Sequence, residues 1–335
     1  MNTQPVNRIL KAISEQFFDE VIFVIDDLVF VNLDWLTNRN YQFEGVNEFL
    51  YTINQYKNHK LIFLIRDGAN PRLTGVTEII KQVVDNLDLN NENCYIYGYN
   101  NLCIPKTTYL ALDAVSMWSG LTHTIIKNLP ISNNQFSKHF SGMYGRFDLF
   151  RLQLYKHLVT HYSNSSLLSF NSNAVHFNHR FTKQFQHELT WFDQQGSQVI
   201  DYNSGHGSVL YQDALRDIHQ HYQTYFLEIV AETDIHSNRF FTEKTVKNFH
   251  LGKPFLLLNG QHSLAHLQDI GFKTFAPWIN ENYDDMPNCC DRLDAIKLEI
   301  DRLAQMSITQ LQQMHTEMMP VFEHNRKHFE QVALE

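Results

Sequence analysis

Phe226-Leu227-Glu228-Ile229-Val230-Ala231-Glu232 is followed, after a polar stretch, by Phe240-Phe241-Thr242-Glu243-Lys244-Thr245. The first run is rich in branched and aromatic residues and reads as a strand that ends near Glu232. Residues 233–239 read as a loop, and a helix opens at Thr242. Thr is a favourable N-cap, and Glu243 suits the first turn of a helix. Open backbone N–H groups at such a helix start suit a phosphate. Lys244 adds a positive point charge and Arg239 is placed to add another. A carboxylate beside them can accept hydrogen bonds from ribose hydroxyls. The competing reading is a capped surface helix with no ligand, which the tetrapeptide alone does not exclude.

Outward from this stretch the same alternation recurs. On its carboxyl side Gly252-Lys253-Pro254 leads into the apolar strand Phe255-Leu256-Leu257-Leu258. A helix is expected over 262–269, with Gly271 as its stop, then a short strand over 273–275. From Cys290 onward the chain reads as almost entirely helical. On the amino side, strands are expected over 136–143 and 167–170, and helices over 149–160 and 181–192. Ser204-Gly205-His206-Gly207 reads as a loop. The first third carries strand runs Val21-Ile22-Phe23-Val24-Ile25, Leu61-Ile62-Phe63-Leu64-Ile65 and Cys94-Tyr95-Ile96-Tyr97. Helical patterns lie over 45–56, 76–84 and 107–127. Strands alternating with helices indicate parallel sheets covered by helices. The polar break at 130–134 divides the chain. The expected fold is therefore α/β, with two Rossmann-like domains over 1–132 and 133–310 and a ligand cleft between them. Residues 311–335 form a terminal helix expected to pack back on the N-terminal domain.

Composition bounds the function. A chain of 335 residues with 43% hydrophobic and 13% aromatic content can bury two cores. Its formal net charge of −9 argues against nucleic acid as the main partner. No run reaches the roughly 18 apolar residues of a membrane span, and no signal peptide is visible at Met1-Asn2-Thr3-Gln4-Pro5, so a cytoplasmic location is expected. Cys94, Cys103, Cys289 and Cys290 form no C-x-x-C pair and read as reduced thiols. Gly205-x-Gly207 lacks a third glycine, so it is no dinucleotide fingerprint. There is no G-x-x-x-x-G-K-[ST] loop and no G-x-S-x-G elbow. His176, His179, His219 and His221 lack metal-site spacing. Asp26-Asp27 after the first strand is similar to a phosphatase nucleophile, but Leu28 stands where that chemistry wants a second Asp.

Three quoted segments together resemble the donor-binding half of the fucosyltransferase-like glycosyltransferases of the GT-B fold. They are Val230-Ala231-Glu232-Thr233, Phe241-Thr242-Glu243-Lys244, and Gly252-Lys253-Pro254 with the following leucine strand. Gly271-Phe272-Lys273-Thr274-Phe275 and Tyr283-Asp284 extend the likeness. So does Ser141-Gly142-Met143-Tyr144-Gly145-Arg146-Phe147-Asp148-Leu149-Phe150-Arg151, where the resemblance implies an Arg that grips the donor diphosphate. Arg151 matches best, with Arg146 its neighbour. The likeness covers about residues 136–300. Fucosyltransferases proper end the strand Phe-Glu-Asn where this chain has Ala231-Glu232-Thr233, so reaction type follows more closely than sugar or base.

The resemblance implies transfer of a sugar, fucose among the candidates, from a nucleotide-diphosphate donor such as a GDP-sugar to a glycan or other hydroxyl acceptor, with inversion. No separate cofactor is implied. The donor would be held by Arg151, Arg146, Glu232, Arg239, Thr242, Glu243 and Lys244. With no Asp-x-Asp in the chain, Arg, Lys and a helix N-terminus would carry the charge of the leaving diphosphate without a metal. A base for the acceptor hydroxyl would come from carboxylates at strand ends of the N-terminal domain: Asp67, Asp26 or Asp27. Asp67 is equally suited to capping a turn before Gly68. Trp118 is a candidate for sugar stacking or for the core. A GT-B-like binding protein without turnover, and a hydrolase using Asp26, are the alternatives.

Overall fold

The computed structural model describes six strands between residues 21 and 111 and residues 114–144, 149–170, 221–232, 235 and 237–334 (less 134). Residues 81, 84, 85, 190, 191 and 194 are also described, all helical. The chain divides into two compact units, residues 3–114 with 236–240 and residues 115–235 with 241–335.

The first unit holds a six-stranded sheet of β1 (Val21–Asp26), β2 (Val29–Asp34), β3 (Arg39–Gln42), β4 (Leu61–Ile65), β5 (Cys94–Gly98) and β6 (Thr108–Ala111), in the order β3-β2-β1-β4-β5-β6. β1, β4 and β5 pair in parallel, as the buried-strand runs predict, and β6 continues the parallel order. Two findings differ from the sequence reading. The chain turns directly from β1 into β2, which pairs antiparallel with Asp26 opposite Val29, and β3 extends the hairpin. Thr108–Ala111 is a strand, although 107–127 read as one helix. A short Thr-Tyr-Leu run is ambiguous by periodicity, and pairing with the edge of β5 decides it. The expected helix over 45–56 lies outside the described residues, as does most of 76–84.

The second unit takes in α1 (Ala114–Ile126) from Val115 onward and carries a four-stranded, all-parallel sheet. Its strands are β7 (Lys138–Tyr144), β8 (Ser166–Phe170), β9 (Tyr225–Ala231) and β10 (Phe255–Leu258), in the order β10-β9-β7-β8. The helices are α2 (Leu149–Tyr162), α3 (Glu243–Leu251), α4 (Ser263–Asp269), α5 (Cys289–Ala304), α6 (Ile308–Glu317) and α7 (Met319–Leu334). This is α/β architecture, and from residue 136 the expected elements that fall on described residues stand within a few residues of their observed bounds, apart from the strand expected over 273–275. The helix expected over 181–192 is described only at its last residues.

Every residue of β9 and β10 is buried. β10 stands at the end of the strand order, and its Leu257 N–H is met by the Tyr283 hydroxyl at 3.1 Å rather than by another strand. Asp284, next to it, accepts from the N–H groups of Leu264 and Ala265 and so holds the start of α4. The short strand expected over 273–275 is absent. The Asn325 side chain takes both the N–H and the carbonyl of Lys273, at 2.8 Å each, and Glu281 takes the N–H of Phe275 at 2.7 Å. Side chains have replaced the sheet neighbour this segment would need.

α3 ends at Gly252, which adopts φ 64. A Cβ there would also lie 2.5 Å from the Ile131 side chain, so both conformation and space require glycine. α7 packs on α3. Phe329 meets His250 at 5.8 Å between ring centres, and His328 Nε2 bonds the carbonyl of Ile270. Within the 1–132 range of the sequence reading, α7 touches His123 and Leu129. Both belong to the same compact unit as α7.

His250 and His315 are fully buried, and burial pushes both imidazoles down to about 4. In the unfolded chain they protonate near 6.5. The unfolded state therefore binds more protons between about 4 and 6.5, and stability falls as pH drops through that window. Each site is expected to contribute about 3 kcal/mol to that fall. Glu281 works the other way, since burial raises its carboxyl to about 7. Urea unfolding at several pH values should show a shallower acid slope in His315→Met than in the unaltered chain. Equal slopes would refute the assignment.

Candidate functional site

The order of the second sheet locates a site. The chain passes from β7 through α2 to β8 on one side, then crosses to the other side of β7 for β9 and β10. Connections leave in opposite directions between β7 and β9, and in open α/β sheets ligands bind outside the carboxyl ends of the strands at such a switch point. In the first sheet β1, β4, β5 and β6 follow one another in a single direction. Topology therefore favours the carboxyl ends of β7 and β9, from which α2 and α3 start.

Glu232 stands immediately after β9 and is buried. Its carboxylate accepts from Thr242 N–H at 2.9 Å, Thr242 Oγ1 at 2.7 Å and Thr245 Oγ1 at 2.6 Å. Its own N–H donates to the carbonyl of Leu258 at 3.1 Å. A carboxylate in this place also complements the positive end of the α3 dipole. The expectation of open N–H groups at this helix start is thus corrected. Thr242 N–H is taken by Glu232, and Lys244 N–H by the Thr242 side chain. A buried carboxylate needs donors, and the nearest are those of the helix start.

Thr242 is the N-cap, as its residue type predicts. Glu243 and Lys244 follow on the first turn and keep 19% and 24% of their side-chain surface exposed, so solutes can reach them. Lys244 Nζ bonds Thr242 Oγ1 and Glu243 Oε1, both at 3.0 Å. Burial pushes the Glu243 carboxyl up, but the Lys244 ammonium outweighs it and leaves the group below the ordinary carboxylate value. Arg239 is exposed.

Arg151, on the first turn of α2, reaches the same strand end. Its Nε and Nη2 donate to the Ala231 carbonyl at 3.2 and 2.9 Å. Arg151 as a whole is 2% exposed, so it is neither a surface ion pair nor a group lying open to solvent. Tyr144, the last residue of β7, is buried nearby. Burial pushes its phenol well up, and the Arg151 charge opposes that shift. Arg151, Glu232, Thr242, Glu243 and Lys244 are therefore gathered at one end of one sheet. Trp118 on α1 is partly buried and packs against the apolar core, which matches its core reading.

Arg146, Asp27 and Asp67 lie outside the described residues. Asp26 ends β1 opposite Val29 in the hairpin.

Sequence reasoning missed two partners. Thr245 holds Glu232, and its signal was a second Thr three residues after the cap, on the same side of the helix start. The other is the buried pair of Lys247 on α3 with Glu228 inside β9, which leaves both side chains under 5% exposed. A charged residue inside an otherwise apolar strand was its signal.

The second unit is thus an α/β unit with a polar switch point. Comparison with protein-family models, with curated proteins and with solved structures gives no match. Among the described residues, no helix is long and apolar enough to cross a membrane.

Proposed function

We propose that the chain is a glycosyltransferase of the GT-B class that takes a nucleotide-diphosphate sugar at the carboxyl ends of β7 and β9. One observation carries the reading: the reachable Glu243–Lys244 pair opens a helix at the switch point of a parallel sheet. Carboxylate and ammonium now satisfy each other. A donor would separate them, its ribose hydroxyls taking Glu243 and its phosphates Lys244. Arg151 would add fixed positive charge from beneath the strand end, and the helix dipole of α3 would favour the leaving diphosphate. The sugar, with fucose a candidate, passes to a hydroxyl acceptor with inversion.

The engagement of Lys244 and Arg151 by protein acceptors also supports a second reading, a nucleotide-binding protein without turnover. Thermal shift of the full chain against a panel of nucleoside diphosphates tests binding in both readings, and release of free nucleotide from a nucleotide sugar separates them. Transfer is expected to persist in excess chelator, because positive side chains and a helix start supply the charge that a metal would otherwise provide. Loss in chelator, restored by magnesium or manganese, would overturn that expectation. If no nucleoside diphosphate shifts the melting temperature, the site assignment fails.

A further inference from the structure

Two buried imidazoles lie under one helix. Phe329 of α7 packs against His250 of α3 at 5.8 Å between ring centres and against His123 of α1 at 6.0 Å. Phe322, two turns earlier on α7, rests on His315 of α6 at 4.8 Å. His250, His315 and both phenylalanines are at most 1% exposed. The Leu129 carbonyl faces His250 Nε2 at 3.2 Å, so Nε2 carries the hydrogen of the neutral ring. His250 Nδ1 is buried with no hydrogen-bond partner. Arg326 Nη2 of α7 donates to the same carbonyl at 3.3 Å.

We propose that α7 is an acid-released cover, which leaves its seat on α3 and α6 when His250 and His315 take up protons. A second proton on His250 can only sit at Nδ1, where the docked structure offers no acceptor. The charged groups around the His123–His250 pair are Lys127, and Arg326 and Glu330 of α7. Glu330, the acid of this group, is bonded to Arg326 Nε at 3.2 Å, so its charge is already met. His315 faces the Gly252 backbone and Lys253, whose buried amine is cationic below about pH 7. Burial and these positive neighbours hold both imidazoles down to about 4 while α7 is seated. Set in water, the same rings protonate near 6.5. Proton uptake therefore favours the open form between those values.

The other ties of α7 add no acid sensitivity of this kind. His324 and His328 point Nε2 at the carbonyls of Gly271 and Ile270, and protonation leaves those nitrogens donors. Asn325, which holds Lys273, does not titrate. α7 belongs to no sheet, so it can lift while β9 and β10 keep their ladders.

Native-state hydrogen exchange of the full chain at pH 7 and pH 5, corrected for the intrinsic rate of each amide, tests this. The opening constant read from α7 amides should rise about twentyfold for each imidazole that regains solvent, while the amides of β9 and β10 stay the more protected. His250→Phe, which keeps a ring against Phe329, should remove one such factor. His315→Met, at the other end of the seat, should remove the second, and either variant decides if the other fails to fold. An α7 opening constant equal at both pH values, or one that keeps its full rise in the variants, would overturn the proposal. So would α7 amides that exchange only together with those of β9 and β10. No nucleotide enters the measurement, so its outcome is independent of the proposed transfer.

Discussion

Glu232→Ala is expected to destabilise the chain by about 3–5 kcal/mol, the cost of removing one partner from a buried charged network. Three donors converge on this carboxylate: the Thr242 N–H and the hydroxyls of Thr242 and Thr245. Removing it strands them at a buried helix start, and each unmet donor costs about 1–3 kcal/mol. Glu232→Gln retains one acceptor oxygen and should lose less. Urea unfolding measures both variants. A loss below about 1 kcal/mol in Glu232→Ala would show that the clamp contributes little. A Glu232→Gln chain that keeps its stability but no longer binds nucleotide would instead return Glu232 to the ligand, as the sequence reading had it.

Lys244→Ala is expected to reduce sugar transfer by two to three powers of ten, about 3–4 kcal/mol of transition-state stabilisation, the scale of one preorganised donor. Its effect on folding should be small. Lys244 is part exposed, and its pair with Glu243 is screened by solvent, so the fold should lose at most about 1 kcal/mol. Glu243→Ala should act mainly on donor affinity, since a ribose contact is similar in ground and transition states. Steady-state kinetics with a nucleotide sugar, alongside circular dichroism, separates the two effects. Wild-type turnover in Lys244→Ala would remove the donor-site assignment. Arg151→Ala, which on sequence grounds should mimic Lys244→Ala, is a poorer test, because Arg151 is buried against the Ala231 carbonyl and its loss also disturbs the strand end.

The sequence by itself determined the local elements that carry strong patterns. β10 is a continuous apolar run and β9 is apolar except for Glu228, and burial on both faces of a parallel sheet demands that pattern. The helix start at Thr242 was legible because a threonine cap followed by an acidic residue satisfies the orphan donors and the dipole of a helix. Likewise Gly271 could be read as a stop. Tertiary structure decided what local pattern does not encode. Residues 273–275 look like a strand, yet Asn325, some fifty residues away, takes their hydrogen bonds. The segment 108–111 looks helical, yet it pairs with β5. Glu232 and Arg151 were legible as a charged pair of candidates at strand and helix ends. That one clamps a helix start and the other seats on a strand-end carbonyl depends on which buried polar groups the fold brings within about 3 Å, and a buried group must be met by whatever lies there.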